Sequence, residues 1–311
     1  MAIPRPPLFG LKILVCAQNE WYTKPIPARC NARSGVDTVI SINGVVFLEV
    51  GGPKTPHLED FLRRSVTEVR ANIERWLENH SAVSGQTTGI VIMDIEHPYP
   101  KNLYTYDPSP GGLQDQVIDA FATRAEAARQ VFPNATLGFF GTLVPDPRGR
   151  ADATKYKASK AALVRAGQRG MFDHVDCLVP VVYPHFGPND VKRWNTYAAY
   201  TRLAITGSRD LSKSDGTKLP VIPFLTCWIA NATSKHAYDV LLDLPVLPDP
   251  LDATLGVQFD VLLEERVRTA VVWVGRNTEV ITLEVVNNPH ARTVSDHICF
   301  RGPPRDPLLP S

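Results

Sequence analysis

The sequence has no apolar stretch approaching the roughly 20 residues that a membrane-spanning helix needs, so it offers no anchor of that kind and no membrane partner is expected. Neither sign of charge is in excess: 33 Lys and Arg stand against 32 Asp and Glu. A nucleic-acid binder needs a positive field, and none is supplied here, so no nucleic-acid partner is expected. A strongly anionic polymer would have to bind through a local basic patch. Cysteine is sparse. Cys16, Cys30, Cys177, Cys227 and Cys299 are odd in number and fit no zinc spacing, which leaves room for at most two disulfides. Cys16, Cys177 and Cys227 lie in or beside apolar runs, where the plain reading is a small buried hydrophobe, and the redox compartment stays open. No Gly-rich dinucleotide fingerprint follows an apolar run, and no internal repeat is visible. Met1-Ala-Ile-Pro-Arg-Pro-Pro does not read as a secretory leader, so the expectation is a cytosolic chain or a mature form with an added Met.

What is present is an alternation of apolar runs and amphipathic stretches along 311 residues, 44% of them apolar. That suffices for one large core, and a single domain over 1–311 is expected, with a Pro-rich tail from about 289. The expected strands are Leu11–Ala17, Val45–Val50, Gly89–Ile95, Thr136–Phe140, Leu178–Tyr183, Val221–Cys227 and Ala270–Val274. They are continuously apolar rather than alternating, as strands of a parallel sheet covered on both faces are. Between them His57–His80, Leu113–Phe132, Ala153–Arg169, Asp190–Thr206 and Asp252–Val267 carry apolar residues at helical spacing. Thr38–Ile42 followed by Asn43-Gly44 reads alternatively as half of a hairpin. Strand–helix alternation implies right-handed crossovers, and hence a closed barrel or a doubly wound sheet. Without a dinucleotide fingerprint the barrel is favoured: an α/β fold, a TIM-like (β/α) barrel of seven or eight parallel strands.

The segment richest in chemistry is Gly89-Ile-Val-Ile-Met-Asp-Ile-Glu-His-Pro, an apolar strand that ends in two acids. Residues two apart on a strand share a face, so Asp94 and Glu96 point the same way, with Ile90 and Ile92 behind them. In a barrel that face is the interior, and active sites form where the strands end. Two carboxylates this close repel when both are ionised, so one stays protonated at higher pH. A protonated carboxyl is what a glycosidase uses to protonate its leaving oxygen. Glu96, nearer the mouth and longer, is assigned as the acid and Asp94 as its partner. The plainer alternative is a pair that caps the next loop or binds Arg. Tyr183 ends the strand from Leu178, Trp273 lies on the last strand, and Trp228 follows the strand from Val221. Aromatic rings at a mouth offer apolar faces to sugar C–H groups, though each alone also suits a core. Glu49 is the candidate for a second, separated carboxylate. Asp176 precedes its strand and so belongs to the opposite, stabilising face. His97 and His185 follow strand ends without forming a ligand set; His185 is kept as a substrate-binding candidate. No metal and no cofactor is expected.

These residues resemble the hyaluronidase family of (β/α)-barrel endoglycosidases. That family's acid strand reads Gly, four mostly apolar residues, Asp-Trp-Glu, three residues, then Pro; Gly89, Asp94, Glu96 and Pro100 fall at the same spacing, with Ile95 for the Trp. Leu178-Val-Pro-Val-Val-Tyr183 is similar to the family's later Leu-Tyr-Pro-Ser-Ile-Tyr strand, and Val271-Val-Trp273-Val-Gly275 to its closing strand. The likeness spans about residues 57 to 280; the spacing of these cysteines does not place the family's disulfides, and no growth-factor-like tail is read in this sequence. The Asp-x-Glu part is shared with chitinase-like barrels. The resemblance implies that Glu96 is general acid and then base. Asp94 and Tyr183 would hold the substrate's N-acetyl group, whose oxygen attacks the anomeric carbon, and Trp273 would floor the sugar site. The partner implied is an oligosaccharide or polysaccharide, and that substrate class suggests an extracellular setting. Two other readings stay open: a glycosidase with a carboxylate nucleophile such as Glu49, and a sugar-binding barrel without catalysis. The sequence carries no signal for oligomeric state.

Overall fold

The computed structural model describes residues 12–16, 35–36, 38–48, 58–142, 153–183, 191–226 and 261–273. Glu49, His185, Trp228, Cys30, Cys227, Cys299 and the Pro-rich tail lie outside the described residues. The described strands are β1 (Lys12–Cys16), β2 (Val39–Asn43), β3 (Ile90–Asp94), β4 (Thr136–Phe140), β5 (Cys177–Val179), β6 (Phe224–Thr226) and β7 (Thr269–Trp273). Helices α1 (Leu58–Arg63) and α2 (Val66–Glu78) precede β3, and α3 (Leu113–Val131) precedes β4. Helix α4 (Ala153–Gln168) precedes β5, and α5 (Val191–Arg209) precedes β6.

Every strand pairing is parallel, in the orders β2-β3-β4-β5 and β6-β7-β1. The two sheets join where the chain beyond β5 pairs with the approach to β6. There the Ile222 N–H donates to the Leu178 carbonyl at 2.8 Å, and the Phe224 N–H to the Pro180 carbonyl at 2.9 Å. At the other seam β1 lies beside β2. The strands therefore follow one another around a ring in chain order, as right-handed crossovers require.

Alternation along the strands divides the apolar residues into two layers. Leu14, Cys16, Val39, Ile90, Ile92, Phe140, Cys177, Val179, Val181, Ile222, Phe224 and Val271 pack together inside the ring. Ile40, Ile42, Val91, Met93, Ile95, Leu137, Phe139 and Leu178 face outward, against α2, α3 and α4. Gly138 is small because the interior requires it: a Cβ there would meet Val179 Cγ2 at 2.7 Å and Cys177 Sγ at 2.8 Å. The outer layer also holds Arg124 of α3, which is fully buried over the Phe61 ring at 3.6 Å. Its guanidinium donates to the carbonyls of Phe47 (3.1 Å), Phe61 (2.8 Å) and Ala120 (2.8 Å). Burial, helped by the charge of Arg64, pushes it down to about 9, so those three acceptors offset a real desolvation cost.

Three expectations are corrected. Val45–Val50 is not the second strand; that strand is Val39–Asn43, and residues Gly44–Phe47 form a 3-10 turn. Asn43 begins the turn by accepting the Val45 N–H on Oδ1 at 3.0 Å, and Leu48, with φ 58°, ends it. This capping overrides the β preference of Val45-Val46, and Arg124 then binds the turn at the Phe47 carbonyl. Nor is Asn43-Gly44 a hairpin turn, because β2 pairs parallel with β3. The amphipathic stretch His57–His80 is broken into α1 and α2 by Ser65. The Ser65 hydroxyl accepts from the Glu68 N–H at 3.3 Å while Glu68 takes the Ser65 N–H at 2.9 Å, a reciprocal cap that starts a new helix. Among the described residues no helix is long and apolar enough to cross a membrane.

Candidate active site

Asp94 stands where the inward face of β3 runs out of apolar residues. Ile90 and Ile92 lie in the interior, Val91 and Met93 in the outer layer, so Asp94, the last residue of β3, falls on the inward side, and Glu96 follows two residues beyond the strand. Asp94 is half-buried and Glu96 exposed, consistent with one carboxyl set into the mouth and one at its rim. Ile95, at the position of the family's Trp, is buried outward and does not take part. The same parity brings Tyr183 inward after Cys177, Val179 and Val181, and Trp273 inward after Val271. β5 and β7 are separated by β6, yet the two rings meet beyond its end with centroids 6.0 Å apart and planes 14° from parallel.

The Tyr183 phenol is pushed well above its usual range, first by burial and then by the negative charge of Asp94. Cys16, Tyr99 and Glu96 act on it in the same direction, in that order of effect after Asp94. It remains a neutral donor over any ordinary working pH. Cys16, at the end of β1, is likewise held as a thiol by burial and by Asp94, against a backbone hydrogen bond from Ser41. It lines the site as a small inert group, in keeping with its reading as a buried hydrophobe.

Several members of the cluster carry no sequence signal of their own. Phe140, the last residue of β4, has its ring 6.2 Å from Tyr183 and 5.7 Å from Phe224, filling the floor. Its inward parity on a strand with well-read limits was the available clue. Tyr99, in the loop after the acid pair, leans on Phe140 at 6.3 Å, with Lys101 Nζ 4.3 Å from its ring centre. It fits because Gly141, at φ 68°, leaves it room: a Cβ there would lie 2.2 Å from the Tyr99 ring. Asn43 is the register partner of Asp94 across β2 and β3. Asp176 lies at the other end of the strands, paired with Arg129 and accepting the Leu137 N–H at 2.9 Å. That is the stabilising role expected of it. Among the described residues no group of three or more His, Cys, Asp or Glu could hold a metal ion.

Neither a family model nor a curated protein matches the sequence. Among solved structures the chain is similar to a (β/α) barrel of the glycoside hydrolase class. That structure is bee venom hyaluronidase in a monoclinic crystal form, at 14% identity and a TM-score of 0.50, over 76% of this chain and 80% of that one. A second structure, bee venom hyaluronidase in complex with a hyaluronic acid tetramer, matches at 15% identity and a TM-score of 0.46, over 76% and 78%. Identity this low speaks for the fold alone: the chain has a TIM barrel like that of bee venom hyaluronidase.

Proposed function

We propose that this protein is a glycoside hydrolase acting on a polysaccharide that contains N-acetylhexosamine. What supports the reading is the Tyr183–Trp273 ring stack at the strand ends, with the charges of Asp94 and Glu96 both acting on the Tyr183 phenol. An acid pair near a neutral phenol and an aromatic face suits a sugar ring and a leaving oxygen. A lectin has no use for a proton donor placed there.

In the proposed cycle Glu96 gives its proton to the glycosidic oxygen as the bond from that oxygen to the anomeric carbon breaks. The acetamido oxygen of the same sugar attacks the anomeric carbon and forms a five-membered ring. Asp94 polarises and orients the acetamido N–H, the Tyr183 hydroxyl donates to the acetamido group, and Trp273 supports the ring. Glu96, now a carboxylate, takes a proton from water as that water reopens the intermediate. No second enzyme carboxylate is consumed, and Glu49 is then no nucleophile. The substrate class suits an extracellular setting.

The test is a product screen on hyaluronan, chitin, peptidoglycan and neutral glucans, with a thiazoline analogue and a fluorosugar as probes. Cleavage confined to N-acetylated substrates and strong thiazoline inhibition are expected, since analogues of a near-transition-state species bind far more tightly than substrate. A covalent adduct trapped on Glu49, or efficient cleavage of a neutral glucan, would overturn substrate assistance. Binding without any cleavage would leave a sugar-binding barrel.

A further inference from the structure

We infer that Tyr197, on α5 outside the barrel, is a positioning residue for Tyr183, an inference that rests on the proposed contact between Tyr183 and the substrate. The regular part of β5 ends at Val179, four residues before Tyr183. On the β4 side the Val179 carbonyl takes the N–H groups of Gly141 at 3.0 Å and Thr142 at 3.3 Å. Pro180 follows and has no N–H to give. The segment carrying Tyr183 is then held by β6, through the Phe224 N–H to the Pro180 carbonyl and the Val182 N–H to the Phe224 carbonyl at 3.0 Å. The Tyr197 hydroxyl adds the next tie, donating to the Val182 carbonyl.

That carbonyl belongs to the peptide unit whose other end is the Tyr183 nitrogen. The unit is planar, so fixing its oxygen fixes the direction in which the Tyr183 Cα is presented. A phenolic oxygen lies roughly 6.5 Å from its Cα, so a tilt of about 10° in that plane moves it by about 1 Å. A displacement of that size in a group contacting the reacting sugar is enough to cost about a hundredfold in rate. Tyr197 is suited to the task. It is 2% exposed, its ring packs against Tyr200 at 6.3 Å and 24°, and burial pushes its phenol upward, so it donates at every working pH. Its bond crosses from the helical layer to the strand end, which couples the placement of α5 to the geometry of the mouth.

The experiment uses Tyr197→Phe, Tyr183→Phe and the double variant in the full chain, labelled with carbon-13 at the tyrosine Cζ. The Tyr183 resonance is the one lost in Tyr183→Phe. Tyr197→Phe is expected to shift it while far-UV circular dichroism and Tm stay near wild type. On the cleaved polysaccharide, kcat is expected to fall about tenfold or more with KM nearly unchanged. In the Tyr183→Phe background the same change is expected to cost less than about twofold, since the residue it acts through is already disabled. Tyr197→p-aminophenylalanine, which restores a donor at the same place, is expected to recover both readouts. It also serves as the variant to read if Tyr197→Phe does not fold, with a Tyr183 resonance between wild type and displaced. An unmoved Tyr183 resonance, or an equal loss of rate in both backgrounds, makes Tyr197 a plain helix-to-strand tie and overturns the inference. If the wild-type chain cleaves nothing, the hydrolase reading fails while the resonance still decides this one.

Discussion

Tyr183→Phe tests the electrostatics of the site without requiring that a substrate be known. In the unfolded chain a tyrosine ionises around its ordinary value of 10.0, whereas in the fold burial and the charge of Asp94 hold the Tyr183 proton well above it. Above that pH the unfolded state therefore binds fewer protons than the native state, and stability falls as pH rises. The slope from this one group is at most about 1.4 kcal/mol per pH unit, and the integrated loss by pH 11 is about 1.4 kcal/mol. Phenylalanine cannot ionise, so the variant lacks this loss. The ring contacts with Trp273 and Phe140 remain, and the baseline difference below pH 9 should stay within about 1 kcal/mol. The assay is urea unfolding of both proteins at intervals from pH 8 to 11. The other groups with raised values, Cys16, Cys177 and Tyr197 among them, titrate in both proteins and largely cancel in the difference. The difference curve should be flat to about pH 9 and then bend toward the variant. Curves that stay parallel to pH 11 would mean the hydroxyl ionises freely in the fold, and the picture of a desolvated phenol beside Asp94 would fail.

Glu96→Gln keeps the shape of an exposed side chain and removes its proton, so turnover should fall by about 10²–10⁴ with Tm unchanged; wild-type turnover ends its assignment as the acid. Asp94→Asn removes the carboxylate assigned to orient the acetamido N–H, so kcat should fall by about tenfold or more with Tm near wild type. A wild-type kcat would end that assignment. Gly138→Ala places a Cβ 2.7 Å from Val179 Cγ2 in a filled interior and should cost about 1–3 kcal/mol in urea unfolding; a neutral result would mean that the interior has slack there.

Reading the chain by period located β1, β3, β4 and β7 to within a residue or two, because each is a short apolar run between polar turns. Periodicity places a strand at Val45–Val50 and leaves Thr38–Ile42 as half of a hairpin, since both runs are apolar and only one can occupy the slot beside β3. The choice was made by the Asn43 side chain capping Val45 and by Arg124 reaching the Phe47 carbonyl from α3, 77 residues away in sequence. Periodicity cannot see a side-chain cap or a distant donor. Tyr99 stayed hidden for a related reason: its seat exists only because a glycine in the left-handed region of another loop leaves space for the ring.

The sequence by itself determined parity. With a side-chain period of two, an apolar strand ending in Asp94 and Glu96 must send both carboxylates to one face, as the strands ending near Tyr183 and Trp273 must send theirs. Tertiary structure alone decided that these faces are the same cavity. Tyr183 and Trp273 stack over the end of β6, which separates their strands, and the charge of Asp94 acts on Cys16 although their strands are paired in different sheets. Those meetings come from closing the ring, which sets strand tilt and stagger over the whole circumference at once, and no local pattern of residues encodes that.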